Sequence, residues 1–348
     1  MNLSPYRFWS APTTRGHCIQ ASDCVSVSAR NKFPEPAPVL VSRTEHLWPL
    51  MRVDRAALQV APSLGLVLTW TREIRAGIER IWENVFDWEH LPVLHELYFN
   101  AVELIEIGDW GWRVVLTKNP GTPDRRMVLE LRADRENSRY RVRTLAGDGA
   151  GTEIWTVLTS LGPRRTAVEV RYYLPERDPQ RLAMLASEYR ASCARLWDED
   201  EAMMMRREEM MARAADRHPK SGAPLSLGPS AELRARLPLS VEFDGEPFRV
   251  LECEDGTLIA HGTICPHWLG PLDEAMPENG ILRCPWHGYR FDMRTGESVD
   301  GRGYRLAAAP RVAVDPITGE ASLVRCSRPR SGSSTVNKPR SGRKAQTR

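Results

Sequence analysis

The chain has 348 residues, enough for two domains with separate cores plus extensions. It is 42% hydrophobic and 27% charged with a net charge of only +3, ordinary for a soluble globular protein and no basis for a nucleic-acid binder. No apolar run approaches the ~20 residues that cross a bilayer, and the first 30 residues lack the apolar stretch of a secretory signal, so the expected location is cytoplasmic.

Residues 1–60 are rich in Ser, Pro and Arg, with a Pro-Glu-Pro-Ala-Pro run at 34–38, and read as a poorly ordered extension. Met51 stands just before the first well-patterned segment and is an alternative start. Leu64–Thr71 reads as a strand. Ile78, Ile81, Trp82, Val85 and Phe86 then keep the spacing of an amphipathic helix. Six strand-like runs follow, near 101–107, 111–117, 126–133, 139–145, 152–159 and 166–173. Turn signals such as Gly108-Asp109, Asn119-Pro120-Gly121 and Gly147-Asp148-Gly149 separate them. A long helix over about 179–215 closes the unit. The order predicts an α+β domain at 61–216, an antiparallel sheet wrapped around that last helix. Residues 217–231 read as a linker by composition, 232–326 as a small all-β domain, and 327–348 as a disordered basic tail. No internal repeat is present.

Seven cysteines are scattered along the chain, an odd count that does not suggest a disulfide framework. Only two have a histidine at metal-ligand spacing: Cys265-Pro266-His267, then 16 residues, then Cys284-Pro285-Trp286-His287. Each half offers one thiolate and one imidazole, so two thiolates can hold one iron and two histidines the other. Tetrahedral zinc also takes two Cys and two His, but a zinc finger usually pairs like with like in sequence, whereas each half here is mixed. Glycines 262, 270, 280 and 288 flank the ligands, as expected where backbone passes close to a cluster.

These residues, with the stretch His287-Gly-Tyr-Arg-Phe-Asp-Met-Arg-Thr-Gly-Glu297, resemble the Rieske family over roughly 234–325. The resemblance implies a [2Fe-2S] cluster held by Cys265, His267, Cys284 and His287. Respiratory Rieske proteins add a disulfide between the two ligand loops; here those positions hold Gly270 and Trp286. The centre therefore looks like the ferredoxin and ring-hydroxylating oxygenase type, toward the negative end of roughly −150 to +300 mV.

A Rieske cluster moves single electrons, so an acceptor is expected. Asn84-Val-Phe-Asp87-Trp-Glu-His90-Leu-Pro-Val-Leu-His95 resembles the mononuclear-iron motif of the Rieske oxygenases. By that resemblance His90 and His95 are iron ligands, and Asp87 bridges the iron histidine to a histidine of the cluster. Asp87 and His90 would share a helix face, and Pro92 should break the helix so that His95 swings back toward the same metal. A facial triad also needs a carboxylate. The long helix offers Asp198, Glu199, Asp200 and Glu201. Leu182, Leu185, Ala186, Tyr189, Cys193, Leu196, Met203, Met204 and Met211 form an apolar stripe with Asp200 on its middle, while Asp198 faces away. A carboxylate on a buried face calls for a partner or a metal. Asp200 is the candidate third ligand for Fe(II).

Two readings remain. The first domain also resembles helix-grip (START/SRPBCC-like) ligand-binding proteins, many of them metal-free. There Asp87 and the histidines would only line a pocket, and Asp200 would pair with Arg141 or Arg171. Trp110, Trp112 and Tyr98 read as core or as pocket lining. The leading expectation is an oxidoreductase: the oxygenase component of a Rieske non-haem iron system that hydroxylates or demethylates a small hydrophobic substrate with O2. An NAD(P)H-dependent reductase or a ferredoxin would feed it. The alternative is a Rieske ferredoxin-like electron-transfer module fused to a metal-free helix-grip domain. The family places its cluster domain first and passes electrons between neighbouring subunits of a ring. Here the order is reversed, the resemblance is two separate matches, and a homotrimer follows only by analogy.

Overall fold

A computed structural model of the chain describes residues 59–215 and 222–325. The expected extension, apart from residues 59 and 60, and the expected basic tail lie outside the described residues.

The first region is a seven-stranded antiparallel sheet. Its strands are β1 (Gly65–Ile74), β2 (Phe99–Gly108), β3 (Gly111–Lys118), β4 (Arg126–Asp134), β5 (Arg139–Gly147), β6 (Glu153–Gly162) and β7 (Arg165–Leu174), ordered β1-β7-β6-β5-β4-β3-β2. Between β1 and β2 run two helices, α1 (Ile78–Phe86) and α2 (Leu91–Leu94), and after β7 comes the 37-residue α3 (Pro179–Ala215). The period-two alternation expected of half-buried strands turns Trp112, Val114 and Leu116 of β3, and Val168, Val170 and Tyr172 of β7, toward α1 and α3. Trp70 of β1 stacks on Trp197 of α3 with ring centroids 6.4 Å apart, so the sheet is gripped around its last helix. Arg113 and Glu130 on the opposite face form a buried pair at 2.6 Å.

The second region holds only short strands: β8 (Leu225–Pro229), β9 (Leu239–Phe243), β10 (Glu246–Glu252), β11 (Leu258–Gly262), β12 (Ile281–Arg283), β13 (Arg290–Asp292), β14 (Arg311–Val314) and β15 (Glu320–Val324), with α4 (Ser230–Ala235) after β8. They form the sheets β11-β10-β9, β12-β13 and β14-β15-β8. Two apolar clusters fill this region, one behind the β12–β13 hairpin and one around Leu233, Phe248, Val250 and Leu323. Among the described residues no helix is long and apolar enough to cross a membrane.

Three expectations need correction. The segment read as linker, 217–231, contains β8, which pairs with β15 and buries Leu227; its Gly and Pro conceal a strand whose inward face is that one leucine. The first helix does not run to Pro92. It ends at Asp87, and His90 caps a new short helix whose first turn carries Pro92. Proline costs nothing there, because first-turn N–H groups have no partner within the helix anyway. On α3, Met211 is exposed while Met210, Trp197 and Glu201 are buried. A single stripe fails because two bodies cover this helix: the sheet takes Met204, and the second region takes Met203.

Candidate functional site

Two loops of the second region approach each other. The first follows β11 and closes through Cys265 N–H to the Gly270 carbonyl at 2.8 Å; the second lies between β12 and β13 and closes through Cys284 N–H to the Tyr289 carbonyl at 2.8 Å. Cys265 and Cys284 are fully buried, and the His267 and His287 rings stand 4.4 Å apart between centroids. The approach is so close that a Cβ at Gly270 would lie 2.8 Å from the Cys284 sulfur, so no cysteine side chain fits at 270.

This pocket suits an iron–sulfur cluster. The Nδ1 atoms of both histidines are buried without a hydrogen bond. The Cys284 sulfur and burial push the Cys265 thiol far above its ordinary range. The Cys265 thiol in turn holds the Cys284 thiol below its ordinary range, and because metal coordination deprotonates a thiol outright, an iron bound here would offset the cost of charging Cys265. Burial, then His287, pushes the His267 imidazole down to about 4, keeping it neutral as a ligand must be.

The second convergence lies at the junction of α1, α2 and α3. His90 Nε2 stands 3.5 Å from Asp200 Oδ1 and His95 Nε2 3.2 Å from the same oxygen. Asn84 donates to that oxygen at 3.0 Å. Ligands held ~2.1 Å from one metal stand about 3–3.4 Å apart, so three such atoms can share an ion. Both histidines are buried. His95 Nδ1 lies 2.8 Å from Glu199 Oε2; donating there, it leaves its Nε2 lone pair toward Asp200. Burial opposes charge on Asp200, yet His95 and then His90 hold its carboxyl below the ordinary 3.8. Burial likewise opposes charge on His95, but Asp200 and then Glu199 raise it above 6.5.

Asp87 stands between the two convergences. Its Oδ2 accepts a hydrogen bond from His287 Nε2 at 2.6 Å and lies 3.3 Å from His90 Nδ1. The proton on Nε2 frees Nδ1 of His287 to face the cluster pocket. Burial opposes the charge on Asp87, but His287 and then His90 hold it well below the ordinary carboxylate range.

The four consecutive acids of α3 thus have four environments. Asp198 is exposed and paired with Arg72, Glu199 faces His95, Asp200 faces both histidines, and Glu201 is buried against Arg72 and Arg75. Asp200 does not pair with either arginine proposed for it: Arg141 lies 3.5 Å from Glu130 and Arg171 pairs with Glu169. Trp112 is core, its Nε1–H donating to the Val85 carbonyl at 2.9 Å. Trp110 lies beneath Arg113 and Arg132 on the other face of the sheet, and Tyr98 is half-buried. Glu199 went unrecognised as a histidine partner because its role depends on where His95 falls, more than a hundred residues away.

Residues 223–308 match the Rieske [2Fe-2S] domain family, so the second region is a Rieske [2Fe-2S] domain. Apoptosis-inducing factor 3 of Homo sapiens is 40% identical over 50 residues, 14% of this chain and 8% of that protein. The oxygenase component of dicamba O-demethylase from Stenotrophomonas maltophilia is 41% identical over 46 residues, 13% of this chain and 14% of that one. The matched segments thus span a small part of these relatives' length. Among solved structures, norcoclaurine synthase from Thalictrum flavum is 16% identical, covering 44% of this chain and 96% of that one with a TM-score of 0.33. The Zhui aromatase/cyclase from Streptomyces sp. R1128 is 15% identical, covering 44% and 98% with a TM-score of 0.35.

Proposed function

We propose that the chain is the oxygenase component of a Rieske non-haem iron system. The convergence of His90, His95 and Asp200 on one point, joined through Asp87 to His287, carries this reading. Cys265, His267, Cys284 and His287 would hold the [2Fe-2S] cluster; His90, His95 and Asp200 would hold one Fe(II) and leave positions open. When bound, the cluster supplies single electrons and the Fe(II) activates O2.

The remaining chemistry belongs to the side chains. Asp87 fixes His287 and His90 in complementary orientations. Glu199 holds the His95 ring so that Nε2 points inward. Tyr140, Val142, Ile154, Leu185 and Tyr189 pack against the core of the first region without being fully buried, and would line the site of a small aromatic or alicyclic substrate. Hydroxylation and demethylation both fit such a site. The reductant would be an NAD(P)H-dependent reductase or a ferredoxin.

A second reading, a Rieske electron-transfer module fused to a metal-free ligand-binding domain, draws on the family match being confined to 223–308. Metal analysis after anaerobic reconstitution separates the two. About three irons per chain are expected for the oxygenase and about two for the fusion. His90→Ala should remove one iron and all turnover while the cluster's visible spectrum stays intact; loss of that spectrum refutes the division of roles.

A further inference from the structure

The resemblance noted above implies a bridge between neighbouring subunits, yet His287 and Asp87 meet within one chain. The Asp87 side chain is 6% exposed and that of His287 is fully enclosed. The position that a second copy's histidine would need is therefore filled by the chain's own.

Around this contact lies a built dock. Glu89, two residues beyond Asp87, accepts from Tyr289 Oη at 3.3 Å and from Arg302 Nη1 at 3.0 Å. Arg207 of α3 covers the Trp268 ring in the first cluster loop, 4.5 Å from its centroid, a cation–π contact. Val93 of α2 packs on Gly288, where an added Cβ would approach it to 3.4 Å. Met203 and Leu94 belong to the apolar cluster behind the cluster pocket. Apolar, aromatic and charged contacts from three elements of the first region thus converge on both ligand loops.

We infer that each chain joins its own cluster site to its own mononuclear site through this dock, and that no second copy is needed to bring the two together. The inference rests on the reading of His90, His95 and Asp200 as a metal site. It deepens that reading by assigning Glu89, Val93 and Arg207 as docking residues and one chain as sufficient to join the two sites.

The test uses the full chain with its cluster reduced by dithionite and Co(II), a fast-relaxing ion, offered to the second site. The power saturation of the cluster's paramagnetic resonance should shift several-fold on Co(II) binding and should not change on dilution into the range where sedimentation gives a monomer. In a mixture of Cys284→Ser chains, which keep only the Co(II) site, and His90→Ala chains, which keep only the cluster, the shift should be absent. A shift in the mixture, or its loss on dilution, overturns the inference. Failure of the wild-type chain to develop Co(II) absorption bands instead overturns the metal-site reading itself. Should Cys284→Ser fail to fold, Asp87→Asn supplies the check without Co(II). In a monomeric sample it should alter the histidine nitrogen couplings of the reduced cluster, and unaltered couplings overturn the intrachain contact.

Discussion

The cluster pocket draws its four candidate ligands from two stretches, 265–267 and 284–287, each closed by its own backbone hydrogen bonds. His90 and His95 come from a helix junction, whereas Asp200 sits more than a hundred residues later on α3. The first pocket is shaped by loop closure, so its geometry travels with a short sequence. The second exists only because α3 packs against α1 and β1 through contacts such as Trp70–Trp197. They differ in charge as well. The cluster pocket presents sulfurs and imidazoles, and the other gathers the carboxylates of Asp87, Glu199 and Asp200 around two histidines. The two pockets should therefore be separable by mutation.

The sharpest contrast is His287→Ala against Asp200→Ala. His287→Ala should bleach the cluster's visible spectrum, cut the link at Asp87 and abolish turnover. Asp200→Ala should abolish turnover equally but leave that spectrum unchanged, with the iron count falling by about one. A bleached spectrum in Asp200→Ala would mean the pockets are not separable. Asp87→Asn comes next. Both metals should remain, by iron analysis and absorption, while turnover falls by about 10- to 100-fold, the usual cost of losing a ligand's hydrogen-bonded partner; unchanged turnover would remove Asp87 from the link.

The smallest effect belongs to Glu199→Gln, read by Co(II) titration between about pH 6 and 8. Metal needs neutral His95, whose pKa is raised because Asp200 and Glu199 outweigh the opposing effect of burial. In the wild-type chain, affinity should fall as the pH drops through that raised value. Removing the Glu199 charge lowers it, so the loss should begin at a lower pH, while affinity at the alkaline end falls about 10-fold for want of the orienting acceptor. An unmoved pH profile would show that Glu199 does not act on His95.

The same division explains what the sequence disclosed. Cys265, His267, Cys284 and His287 were legible because their spacing and their pocket are the same object. Asp200 was reachable through periodicity, since a carboxylate on an apolar stripe asks for a partner. Glu199, one residue earlier, gave no such signal: half-exposed on its own helix, it gains meaning only from His95. Glu201 hid for the opposite reason, being buried off the stripe beneath Arg72 and Arg75, which approach from the end of β1 and the turn after it. The strand β8 was missed because its pairing partner β15 lies some ninety residues away, and local composition says nothing about a strand completed at such range.

Helix α3 is also a shaft common to two machines. Asp200 reaches into the histidine pocket, and Met203, about 4.5 Å further along the axis, is sealed in the core behind the cluster. Arg207, one turn beyond, lies over Trp268. No joint separates these positions, so a twist or slide of the helix displaces all three as a rigid piece.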